Sequence, residues 1–222
     1  MNIFLFPIYA VIAGFLVARF MQHRLGNLKL LLAFSGAFLL SITAFELIPE
    51  VFSEGDGRRS GLFVMLGVLL QICLEFFSKG AEHGHVHPSN SNLFPWLLFF
   101  SLSLHAFLEG FPIEQHNHLA YGILVHKVPI AIVLTTFLWN AAIPKYAAVL
   151  FLVLFALMTP LGTWVANNTD WVVDFQTEIS AIVIGIFLHI STVILFESSE
   201  GHKFNLAKLL TIVLAITIAY LL

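Results

Sequence analysis

The chain has 222 residues, of which 59% are hydrophobic and only 10% charged, against roughly a quarter charged in an ordinary soluble domain. That balance excludes water as the main solvent and points to an integral membrane protein. The net charge of −3 gives no basis for a nucleic-acid partner, and the single cysteine, Cys73, excludes an internal disulfide.

Apolar runs of about 17 to 25 residues, the length needed to cross a bilayer, recur along the chain. They predict an all-α, polytopic protein with eight transmembrane helices, near residues 3–20, 29–48, 61–78, 94–113, 119–139, 144–165, 178–197 and 204–222. The first run has no basic segment ahead of it and is read as a permanent span, not a cleaved signal. The connections after spans 1, 3, 5 and 7, with their flanks, carry Arg19, Arg24, Lys29, Lys79, Lys145, Lys203 and Lys208. Those after spans 2, 4 and 6 carry only Arg58 and Arg59. Basic residues stay on the cytoplasmic side, so both termini are expected outside. Every connection is short, and one transmembrane domain is expected over residues 1–222.

Ionisable residues at membrane depth are costly and need a partner or a cavity. Span 4 contains "LHAFLEGFPI", in which His105 and Glu109 lie one turn apart on one face, with Ser101 a turn further in. Span 5 contains "LVHKVPIAI", with His126 and Lys127 ahead of Pro129, which cannot donate to the carbonyl of Val125. Span 2 ends in "SITAFELIPEVF", placing Glu46 a turn inside Glu50. Counting inward at about 1.5 Å per residue, Glu46 and Glu109 lie about 6 Å from the outer ends, His126 about 10 Å and His105 about 12 Å. Four groups from three helices thus share about one turn of depth.

The short "EQHNH" connection makes spans 4 and 5 antiparallel neighbours. Two imidazoles and one or two carboxylates suit a divalent transition metal, zinc above all. Each of these residues taken alone is as well explained by packing, or by an ion pair between Glu109 and Lys127; their alignment in depth favours a metal site. Lys127 points about 100° round the helix from His126, so a direct bond to Glu109 is not expected if His126 faces the metal. His189, about 17 Å into span 7, is either a packing histidine or a secondary ligand, and Glu75 is read as interfacial. The cytoplasmic loop 79–92 carries His83, His85 and His87 in "KGAEHGHVHPSNSN", and such tracts bind metal loosely.

These segments, with "LLQICLEFFSKGAEHGHVH", "ALMTPLGTWV" and "IGIFLHISTVILFE", follow one another as in the ZIP (ZRT/IRT-like) family of divalent-metal transporters, which the whole chain resembles. The resemblance implies a 3+2+3 arrangement with inverted repeats, spans 4 and 5 forming the metal-binding core. It implies transport of zinc, and often iron, manganese or cadmium, across a plasma (cell inner) membrane toward the cytoplasm. His105 and Glu109 match the span 4 ligands and His126 the first span 5 ligand, while Glu46 stands where many members have histidine. Ile130, Thr159 and Ile194 depart from the pattern, so one transport site is expected, not two. No P-loop is present to supply nucleotide energy, so the metal gradient or a coupled ion is expected to drive transport. The partners so implied are the metal ion and the lipid bilayer, with a homodimer left open. The rival is a membrane metalloenzyme of hydrolase type using the same His/Glu set around a metal-bound water; a third reading is a metal-sensing scaffold.

Overall fold

The computed structural model describes residues 3–20, 28–78, 95–113, 117–197 and 206–222. The loop bearing His83, His85 and His87 lies outside the described residues. Those described form α1 Phe6–Phe20, α2 Leu28–Ile42, α3 Ile48–Glu54, α4 Gly57–Ser78, α5 Trp96–Leu108, α6 Asn117–Asn140, α7 Lys145–Asn168, α8 Asp170–Asp174, α9 Gln176–Glu197 and α10 Leu206–Leu221, with no strand among them. α2 continues into α3 through a wider π-turn, Thr43–Leu47. This turn sits just ahead of Pro49, whose missing N–H breaks the regular ladder.

Among the described residues, five helical segments are long and apolar enough to cross a membrane: Leu28–Ser53, Gly57–Ser78, His118–Asn140, Lys145–Asn168 and Gln176–Phe196. Phe6–Phe20, Trp96–Leu108 and Leu206–Leu221 are apolar but shorter. Their outward faces match a lipid solvent. α4 exposes Leu62, Met65, Leu69, Ile72 and Phe76, and α7 exposes Tyr146, Leu150, Val153 and Leu157, each at helical spacing. Unbroken apolar stripes of this kind are not left open to water. Cys73 lies on the exposed face of α4. The interior, by contrast, encloses His105, Glu109, His126, Lys127 and Thr159, the arrangement expected when polar groups must avoid lipid.

α1 packs chiefly on α6, α4 on α9, α10 on α2 and α5 on α7, while α2 also touches α6 and α9. Phe38, Leu39 and Ile42 of α2 share one core with Ile123 and Leu134 of α6, Phe155 of α7 and Phe187 of α9. Two glycines fix the contact that matters most for the site. A methyl on Gly162 would overlap the Phe107 carbonyl, and one on Gly110 would overlap that of Thr159. Small residues allow this backbone approach, and Thr163 Oγ1 locks it by donating to the Gly110 carbonyl at 2.7 Å.

α5 stops at Leu108, short of the predicted end at 113. Residues 109–113 form a tight turn instead, with Gly110 N–H donating to Phe107 O at 3.2 Å and Phe111 N–H to Leu108 O at 3.1 Å. Pro112 cannot extend the ladder and disfavours the helical conformation at Phe111. At the other end of the bundle, where α1 finishes and α7 begins, the cations of Arg19 and Lys145 lie 5.4 and 5.2 Å from the Trp139 ring.

Candidate metal centre

Glu109 occupies the C-cap of α5 and its N–H still donates to the His105 carbonyl at 3.1 Å. Because helical register persists to that point, the two side chains lie one above the other. His105 Nε2 stands 3.5 Å from Glu109 Oε2. Ligand atoms about 2.0–2.1 Å from a tetrahedral zinc are themselves about 3.4 Å apart. The separation of these two atoms is close to that edge length. From α6, the His126 ring comes within 6.5 Å of the His105 ring, centroid to centroid, with the planes at 81°. All three side chains are buried.

Lys127 departs from expectation. Its Nζ forms a direct ion pair with Glu109 Oε1, and His126 stays beside His105 all the same. The helical-wheel angle misjudged the pair for two reasons. Lysine's four-carbon stem reaches well round its own helix, and Glu109, at the end of α5, presents its two oxygens in different directions. Oε2 faces His105 while Oε1 faces Lys127. Thr159 of α7 joins them, donating from Oγ1 to Glu109 Oε1 at 2.7 Å and accepting from Lys127 Nζ at 2.8 Å. The close packing of Gly110 against α7 is what brings Thr159 within reach.

Glu46 is turned elsewhere. It lies in the π-turn, and His118 Nδ1 is 2.6 Å from its Oε1; 25% of the Glu46 side chain and 43% of that of His118 are exposed, so this pair sits at the rim. Sequence reasoning passed over His118, although its place two turns ahead of His126 on the same helix was a usable signal. His189 Nε2 lies 2.6 Å from Glu75 Oε2, tying α9 to α4. Glu75 is therefore a helix-bridging residue. Ser101 uses its hydroxyl on the Leu74 carbonyl, at 2.5 Å. Among the described residues no three His, Cys, Asp or Glu side chains are grouped closely enough to hold a metal in this conformation.

A family model described as ZIP Zinc transporter matches residues 78–222, which include His105, Glu109, His126, Lys127 and Thr159. The chain belongs to the ZIP zinc transporter family. It is also 30% identical over 142 residues to "Zinc transporter ZIP1" of Danio rerio, an alignment covering 57% of this chain and 45% of that relative. The chain thus matches less than half the length of this ZIP relative. Glu46 lies outside the segment matched by the family model. Membership of the ZIP family agrees with the apolar helices in marking a membrane protein.

Proposed function

We propose that the protein moves a divalent transition metal, zinc first and iron, manganese or cadmium as alternatives, toward the cytoplasm by alternating access. The observation that carries this reading is the 3.5 Å edge between His105 Nε2 and Glu109 Oε2, closed off from solvent in a chain of the ZIP family. In the proposed cycle the metal enters past Glu50 and the Glu46–His118 pair and sheds water. It then takes His105, Glu109 and His126 as ligands and leaves when the helices rock. His126 must swing inward to complete the set, and Glu109 must exchange an ammonium for a metal. On the far side His83, His85 and His87 receive the ion, and His189 with Glu75 lines the way out.

The same proposal takes the chain as eight spans in a 3+2+3 arrangement with inverted repeats and both termini outside, in the plasma (cell inner) membrane. The helix packing supports the inverted-repeat arrangement. If spans 1, 2, 3 and 4 correspond to spans 6, 7, 8 and 5, then α1 on α6 corresponds to α7 on α5, and α4 on α9 to α10 on α2; these are the main contacts. Inverted repeats meeting around a central site are a recurrent transporter design.

The test is zinc uptake by the purified full chain in sealed proteoliposomes, read by an enclosed zinc-sensitive dye. Saturable uptake absent from protein-free vesicles is expected. Metal-dependent hydrolysis of a lipid with no uptake would replace the carrier with the enzyme reading.

A further inference from the structure

The Lys127 ammonium is enclosed at the centre of the bundle with 2% of its side chain exposed. It rests on Glu109 Oε1, on Thr159 Oγ1 at 2.8 Å, and over the Phe155 ring at 4.8 Å. The Thr159 hydroxyl closes the triangle by donating to the same carboxylate oxygen at 2.7 Å. The C-cap of α5, the middle of α6 and the middle of α7 are thereby joined through one charge pair. In the proposed cycle metal ligation requires Glu109, yet Lys127 holds Oε1 of the same carboxylate while His105 faces Oε2.

A carrier working by alternating access reorients its site twice per cycle, once loaded and once empty. When it is loaded, the metal's positive charge offsets Glu109. On the empty return a bare carboxylate would be enclosed in a low-dielectric interior, which is strongly unfavourable without a partner. Many carriers meet this requirement with a coupled ion. Here a cation is already attached to the chain. Its position also permits exchange with the cargo, because the ammonium uses Oε1 while the edge toward His105 uses Oε2. A metal can land on His105 and Oε2 before Lys127 withdraws along its flexible stem.

We propose that Lys127 is the built-in counter-cation of the empty carrier, neutralising Glu109 during the return step so that net transport needs no coupled ion. This rests on the carrier reading above. Thr159 is its positioning residue, holding ammonium and carboxylate together. The inference predicts net zinc flux in vesicles with no proton or sodium gradient. It also separates two measurable processes, because net uptake requires the empty return, whereas exchange of zinc for zinc requires only the loaded step.

The experiment compares radioactive zinc entering zinc-free proteoliposomes with its entry into vesicles preloaded with unlabelled zinc, using the purified full chain. For Lys127→Met, net uptake is expected to fall about a hundredfold or more, as befits a buried charge left unpaired, while exchange stays within about twofold of wild type. Thr159→Val, which keeps the volume, should shift the net-to-exchange ratio the same way by about threefold, the scale of one hydrogen bond. Unchanged net uptake in Lys127→Met overturns the inference, as does an equal fall in both processes in a variant that elutes as wild type does. Should Lys127→Met fail to fold, an unchanged ratio in Thr159→Val overturns it. Wild-type vesicles showing neither process would remove the carrier reading itself, a result distinct from all of these.

Discussion

Glu109 divides its carboxylate between two neighbours, giving Oε2 to His105 at 3.5 Å and Oε1 to Lys127. That division is possible because α5 ends at Leu108 and the following turn is pressed onto α7 through Gly110 and Gly162. Site geometry therefore depends on a backbone contact made by glycines that have no side chain to act as ligands.

Gly162→Ala tests that dependence. The added methyl would overlap the Phe107 carbonyl, and overpacking of this kind costs about 1–3 kcal/mol. Zinc uptake should fall and the melting midpoint of the purified protein should drop together. A variant with wild-type uptake and midpoint would show that the α5–α7 contact does not set the site.

The rim pair should behave differently. Because Glu46 and His118 are partly exposed, losing their bond should change stability by less than about 1 kcal/mol. Acidic groups at an entrance raise the local cation concentration. Glu46→Gln should therefore raise the half-saturating zinc concentration by about threefold and spare the maximal rate. A collapse of the maximal rate at unchanged half-saturation would instead make Glu46 a ligand of the intramembrane site.

Replacing His83, His85 and His87 together with serine should leave equilibrium zinc binding at the intramembrane site intact and slow release on the cytoplasmic side. Short histidine tracts hold metal weakly and transiently. The comparison is bound zinc per protein against initial flux. Equal loss of both would mean that the loop shapes the transport site, and unchanged flux with unchanged stoichiometry would leave these histidines as solubilising residues.

Much of this was legible in the sequence because the signals were local. The apolar runs announced the helices, and the i, i+4 spacing of His105 and Glu109 announced a shared face, since both depend only on helical periodicity. Contacts between distant segments were not legible. Glu46 and His118 are 72 residues apart, and the π-turn around Glu46 shifts the helical phase on which any wheel relies. His189 and Glu75 were each ambiguous alone and gain meaning only from the packing of α9 on α4. Lys127 was misjudged because an angle on a wheel records where a Cβ points, while the reach of a lysine and the end of the facing helix decide what its nitrogen touches.

The most direct measurement of the central claim is the initial rate of zinc uptake by proteoliposomes holding equal amounts of wild-type protein or His105→Ala, with correct folding checked by elution profile. Removing the imidazole that stands 3.5 Å from Glu109 subtracts a proposed ligand without unseating the helix, and even outer-shell partners of metal ligands are worth about 10–100-fold. The account predicts saturable uptake by the wild type and less than about a tenth of that rate for the variant. A folded His105→Ala protein carrying zinc at the wild-type rate would contradict it.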